Sequence, residues 1–364
     1  MTERREFIVI GAGLLGLAAA RALASRGREV TVLEQAEIGH PAGGSHGSCR
    51  IFRLGYGDPG YVWLARRARE LWRELEAARG QRLLHPAPHL TFGDGLDAVH
   101  AAMTAAGAPC ELLPAATAAA RFPMLATAGP ALLEPDSCVI EADNALRALA
   151  ATVPVIRTGV RVTAIADDGR QVTVSTDAGP FTARVVIVCA GPWTSGLLRP
   201  AGLTVPASAT LERVGYLELG SPEPSAEVPI FICHGARSPY GLPVPRSSLY
   251  KIGVHGGGPP TDPDRRDDGA DEEQAGQLAR VVRRYLPGLD PQPVRTETCI
   301  YDNSPDEDFV VDRAGHIVVG SGTSGHGFKF GPLLGEWLAD LAAGTPPGAE
   351  WPLFAARFAV RTFS

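Results

Sequence analysis

The sequence predicts an α/β fold, α+β in its arrangement: a Rossmann-like domain on a parallel sheet, carrying an inserted domain on an antiparallel sheet. Three observations predict it. Residues 7–33 read as strand, glycine turn, Ala/Leu-rich helix and strand, which is a βαβ unit. The strand–helix alternation lapses after residue 80, returns at 141 and lapses again after 205. Residues 211–256 alternate apolar and polar positions between Pro and Gly, as antiparallel strands with one buried face do. On this reading the first domain takes residues 1–80, 141–205 and 300–364, and the inserted domain takes 81–140 and 206–299.

The elements follow in order. An apolar strand over 7–10 turns at Gly11-Ala12-Gly13-Leu14-Leu15-Gly16 into a helix running through residue 24, and a second strand covers 29–33. Over 63–78, Leu64, Leu71, Trp72 and Leu75 recur at helical spacing, and Gly80 ends the helix. Residues 86–92 and 131–133 read as short strands around two Ala-rich stretches. A helix over 144–151, a hairpin over 160–165 and 171–176, and a buried strand over 183–189 leading into Ala190-Gly191-Pro192-Trp193 restore the first rhythm. The acidic, Pro-broken run 262–273 reads as a solvated loop entering a helix over 271–286, which Pro287-Gly288 stops. A last buried strand covers 316–320 and a closing helix 333–342.

Composition narrows the function classes. With 364 residues, 45% hydrophobic and 20% charged, the chain can bury the cores of two domains. Its formal charge is -6, and Arg66, Arg67 and Arg69 are interleaved with Glu70, Glu74 and Glu76, so no surface for reading phosphates is indicated and nucleic acid is not an expected partner. Residues 1–6 lack secretory features, residues 361–364 lack a peroxisomal address, and no apolar stretch is long enough to span a bilayer, so a cytoplasmic protein is expected. Six scattered cysteines without paired spacing predict reduced thiols and no metal site.

In the glycine turn, Gly11 permits the bend, Gly13 lets backbone approach a pyrophosphate, and Gly16 lets helix and strand pack closely, while the helix N-terminus offers amides to the anion. Glu34, at the end of the second strand, is placed to accept hydrogen bonds from ribose hydroxyls and disfavours a phosphorylated ribose. This fingerprint serves FAD and NAD alike. Farther along, Lys251 and His255 lie four apart on a predicted strand, so both point to one face.

Further segments decide between the cofactors. Gly44-Ser45-His46-Gly47 leads to Arg50-Ile51-Phe52-Arg53; then come Ala190-Gly191-Pro192-Trp193, Lys251-Ile252-Gly253-Val254-His255, Cys299-Ile300-Tyr301 and Ser324-Gly325-His326-Gly327-Phe328-Lys329-Phe330. With the glycine turn and Glu34, and in this order over essentially the whole chain, they resemble the monomeric sarcosine oxidase and N-methyltryptophan oxidase group of the D-amino-acid-oxidase-like flavoproteins.

The resemblance implies FAD, tethered by a thioether from Cys299 to the flavin's benzenoid ring. Cys49, beside Arg50, is the rival thiol. Cofactor contacts are implied at Gly11, Gly13, Gly16, Glu34, Ser45, His46, Arg50, Val162, Gly191 and Trp193, and again at Gly325, Gly327, Phe328 and Lys329, with His326 shaping the loop. Arg53 and Lys329 would clamp a substrate carboxylate, a task suited to a planar guanidinium and a second cation. His255 would stand beside the substrate amine, Tyr240 and Tyr301 would wall the cavity, and Lys251 would sit near the reactive flavin nitrogen, where a cation favours electron transfer to dioxygen.

The chain departs from the family pattern at Ser48-Cys49, in a segment one residue shorter than usual between Ser45 and Arg50. Substrate choice is expected from residues 58–60 and 213–234. The implied function is an FAD-dependent oxidase of a small secondary amino acid, N-methyl or cyclic, forming an imine and hydrogen peroxide, with the amino acid and dioxygen as partners of a monomer. Three rivals stand beside it: a cyclic imino acid oxidase of specialised metabolism, a dehydrogenase passing electrons to a quinone or carrier protein, and a non-enzymatic FAD- or NAD-binding module.

Overall fold

In the computed structural model, which describes residues 3–127, 129–220, 228–266, 269, 271–348 and 350–360, two eight-stranded sheets and one of three strands order the chain. Five strands of the first sheet run parallel, in the order Ile156–Arg157, Val30–Leu33, Glu3–Ile10, Phe181–Val188 and Ile317–Ser321. The hairpin Val162–Asp167 and Val172–Thr176 joins the start of Phe181–Val188, and Val310–Ala314 lies antiparallel to Ile317–Ser321. Phe7 to Val9 and Val185 to Val188 are fully buried, as parallel strands covered on both faces require. The helices Leu14–Ser25 and Gly331–Ala343 pack on one face. They approach closely at Gly335, where a Cβ would meet the Ala18 Cβ at 2.5 Å.

Boundaries moved where polar residues concealed them. The first strand starts at Glu3 rather than 7, because its polar half still pairs with the strand at Phe181. The helix expected from 63 starts at Pro59: Asp58 accepts from Gly60 N at 2.8 Å, and the proline occupies the first turn. Asp271 caps Glu272–Tyr285 in the same way, through Gln274 N at 3.0 Å.

The second sheet has the order Arg295–Asn303, Ser208–Glu218, Leu249–His255, Ser238–Pro243, Ile230–His234, His89–Gly93, Ala131–Glu134 and Glu111–Leu113. It is antiparallel except between Ile230–His234 and His89–Gly93, so the antiparallel sheet read from the sequence is a mixed one. Those two strands come from separate chain segments with no hairpin to set their direction. One face packs on the helix Glu272–Tyr285 through Tyr250, Ile252, Leu278 and Val282. Alternation along Leu249–His255 then turns Lys251 to the other face. A small sheet of Cys49–Phe52, Cys138–Glu141 and Leu84–Pro86 carries Arg50 at its edge. Among the described residues no helix is long and apolar enough to cross a membrane.

Candidate active site

A cavity of about 1100 Å³ opens at the C-terminal ends of the parallel strands, at Ile10, Leu33 and Cys189, and extends to Tyr240 and Lys251 of the second sheet. Every site residue singled out from the sequence lines it except Gly16. Gly16 is buried in the turn, where a Cβ would stand 2.0 Å from Gly11 O.

At one end lies the glycine turn. Gly11 has φ +98°, and a Cβ there would meet Cys189 O at 2.4 Å, so only glycine passes between the adjacent strands. Ser45 Oγ accepts from Leu14 N at 3.1 Å, within the first turn of the helix. Glu34 is 5% exposed and accepts from Ala12 N at 2.7 Å and Ala36 N at 2.9 Å. Burial pushes its carboxyl up, but His40 and these amides outweigh burial and hold it below the usual range. Val162 lines this end, as do Gly191 and Trp193, whose Nε1 donates to Asp264 at 2.9 Å.

In the middle, Arg50 donates to Gly44 O at 3.0 Å and His46 O at 2.6 Å, with Cys299 Sγ at 3.8 Å and its guanidinium 5.4 Å from the Phe328 ring centre. His46 is fixed against Gly43 O and Thr298 O. Both Cys299 and Cys49 line the cavity, but Cys299 is half-buried, whereas Cys49 is 1% exposed and belongs to an apolar cluster with Val139, Tyr216 and Leu242. The glycine loop is tied to the cysteine strand by Asp302, whose carboxylate accepts from Gly322 N at 2.8 Å and Thr323 N at 3.2 Å. Gly325, at φ +69°, makes room for Tyr301: a Cβ there would fall 2.0 Å from the ring.

The substrate end is cationic. Arg53 is 9% exposed, stacks 4.1 Å from the centre of the Tyr56 ring, and keeps a buried Nη1 with no hydrogen-bond partner among the described residues. Lys329, 4% exposed, donates to Tyr56 Oη and His326 O, each at 2.8 Å. Burial and then the Arg53 charge push its ammonium well below the ordinary lysine range. Tyr56 Oη donates a hydrogen bond to His326 Nδ1 at 3.2 Å, and His326 Nε2 donates to Glu307 O at 2.9 Å. Burial and Lys329 hold that ring well below its ordinary range, so it is neutral and braces the loop.

Across the cavity, the His255 ring lies 5.7 Å from that of Tyr301. Gly253 accommodates Tyr240, whose hydroxyl would be 2.5 Å from any Cβ there. Lys251, 5% exposed, donates to Cys49 O at 3.3 Å, and burial followed by Arg50 lowers its pKa.

The segment 213–234 contributes only in part. Val214, Ile232 and His234 line the cavity, but Arg213 turns away to Gln274 at 3.1 Å, residues 221–227 lie outside the described set, and residues 58–60 are not among the lining residues. Sequence reasoning passed over Tyr56, Asp302 and Glu134. For Tyr56 there was a signal, an aromatic ring between Gly55 and Gly57 just after Arg53; for the two buried acids the partners are too far apart along the chain. Among the described residues no cluster of His, Cys, Asp and Glu could hold a metal.

Peroxisomal sarcosine oxidase of Mus musculus is 33% identical over 371 residues, covering 96% of this chain and 95% of its own. Monomeric sarcosine oxidase of Bacillus sp. (strain NS-129) is 32% identical over 365 residues, 94% of each. Among solved structures, the open form of NikD, described as an unusual amino acid oxidase essential for nikkomycin biosynthesis, superposes with a TM-score of 0.87 at 29% identity, covering 99% of this chain and 98% of that one. The profile of the family described as DAO, FAD dependent oxidoreductase, matches residues 6–341, and the chain belongs to that family.

Proposed function

We propose that the chain oxidises the C–N bond of a small secondary amino acid, N-methylated or cyclic, to an imine, with dioxygen reduced to hydrogen peroxide. The cavity fits FAD: a glycine cradle at Gly11 that no side chain could enter, Glu34 beside it, and the cations Arg50 and Lys251 toward the other end. Bound FAD supplies the two-electron acceptor. Arg53 and Lys329 take the substrate carboxylate, and their buried juxtaposition, with Arg53 Nη1 lacking a partner among the described residues, is the observation that carries the reading. Their charge lowers the proton affinity of a bound amine, so the neutral amine needed for oxidation forms without a strong base. His255, Tyr240 and Tyr301 orient that amine. Sarcosine oxidases among the relatives support the substrate class, and a relative named monomeric supports a single-chain enzyme.

A panel of sarcosine, other N-methyl amino acids, L-proline and L-pipecolate, assayed for peroxide beside the same amines without a carboxyl group, tests this. Peroxide is expected from members of the acidic set alone. Oxidation of the decarboxylated amines at equal kcat/KM would overturn the clamp, and dye reduction without peroxide would favour a dehydrogenase.

The tether belongs to the same proposal. Cys299 is half-buried at the cavity wall with Arg50 Nη2 at 3.8 Å from its sulfur, while Cys49, though it also borders the cavity, is 1% exposed and packed among apolar side chains. Flavin fluorescence is therefore expected to migrate with the wild-type polypeptide on a denaturing gel and to be released by Cys299→Ala. Retention in that variant would move the tether to another cysteine; release from the wild type would remove it.

A further inference from the structure

The clamp hangs on a carboxylate that the reaction itself does not use. Glu134 ends the strand Ala131–Glu134 of the second sheet and is 1% exposed. Its Oε2 accepts from Leu54 N at 2.8 Å and Gly55 N at 2.9 Å, across 80 and 79 residues of chain, and its Oε1 lies 2.7 Å from His89 Nδ1. A Cβ at residue 55 would stand 2.4 Å from Oε1, so the carboxylate reaches these amides only because glycine follows Leu54. The turn it holds carries Arg53, one half of the clamp, and through Tyr56 it braces Lys329, the other. Arg53 precedes the two bonded amides, and Tyr56, which follows them, stacks on Arg53 and accepts from Lys329. Burial pushes the Glu134 carboxyl up, but His89, Arg53 and the Leu54 amide bring it down to about 2, so it is charged at any working pH.

Resting on the clamp reading above, we propose that Glu134 is a positioning residue for the substrate carboxylate: it fixes the Arg53–Tyr56 turn and, by setting a buried negative charge against the clamp cations, biases the site toward a monocarboxylate. Position and charge are separable. Glutamine can keep the turn, its carbonyl accepting from the amides and its NH2 facing His89, but it removes the charge. Aspartate keeps the charge and is one methylene too short to hold both amides.

Propionate and malonate, one and two carboxylates on similar skeletons, are the probes, titrated into FAD-loaded enzyme and followed by the visible absorbance of the bound cofactor. In Glu134→Gln the ratio of dissociation constants is expected to shift toward malonate by about tenfold or more, since the Glu134 charge acts on both Arg53 and Lys329 and its loss favours the dianion. In Glu134→Asp both ligands are expected to weaken by roughly tenfold with the ratio nearly that of wild type. A ratio within one protein does not depend on the folded fraction, so a merely structural glutamate would not move it. If Glu134→Gln leaves the ratio unchanged while Arg53→Met still weakens propionate, this inference falls and the proposed function stands. If Arg53→Met does not affect propionate, the clamp reading fails and takes this one with it.

Discussion

Arg53→Met is expected to lower kcat/KM for a carboxylate-bearing secondary amine by about 2–5 kcal/mol, roughly thirty- to several-thousand-fold. The side chain is buried against Tyr56, so the variant retains much of the packing and loses the guanidinium. Lys329 alone replaces it poorly. Two of its three donors are already committed to Tyr56 and His326 O, leaving a carboxylate held from one side. A carboxylate gripped equally in the bound and reacting states contributes to KM rather than kcat, so KM should absorb most of the loss. Arg53→Lys is expected to recover only part of it, because an ammonium restores charge without the parallel pair of hydrogen bonds. Steady-state kinetics with sarcosine and with dimethylamine, the same amine without the carboxyl group, checks this. Equal losses for both would mean that Arg53 supports the cavity and not the carboxylate.

Local pattern made the first βαβ unit legible: the turn at residues 11–16 allows little but a nucleotide cradle once strand and helix flank it. Lys251 and His255 were legible for a similar reason, since a strand places residues four apart on one face. Motif order brought Arg53, Cys299 and Lys329 to one cavity, although no local rule joins residues so far apart. What stayed hidden depends on pairing across the fold. Asp302 reads as an ordinary polar residue in a strand, yet it ties the 322–323 amides to the cysteine strand. Glu134 precedes a proline at what looks like a turn, and only the tertiary fold brings Leu54 and Gly55 to it. The parallel pairing of Ile230–His234 with His89–Gly93 was hidden likewise, because each strand has a fitting pattern but nothing local names its neighbour.

Lys251→Met is expected to separate the two halves of turnover. Anaerobic bleaching of the holoenzyme by substrate should persist, because the clamp and the Tyr240–Tyr301 wall are untouched, while reoxidation by dioxygen should slow by about 10²–10³-fold, the loss typical of one preorganised charge-stabilising group. Positive charge is concentrated in a buried place: Lys251 is 5% exposed, donates to Cys49 O at 3.3 Å, and has the Arg50 charge nearby. An anion formed from dioxygen there gains more from the ammonium than it would in water. The same surroundings set the pH dependence. Burial and then Arg50 lower the Lys251 pKa from its ordinary 10.5, so the protonated fraction declines at lower pH than for a solvated lysine. Wild-type reoxidation should therefore fall as pH rises toward that lowered value, and in Lys251→Met this fall should vanish along with most of the rate. Stopped-flow mixing of substrate-reduced enzyme with oxygenated buffer across alkaline pH reads both effects. A variant that reoxidises at the wild-type rate, or keeps the wild-type pH profile at a reduced rate, would assign oxygen activation to another cation, with Arg50 the nearest candidate.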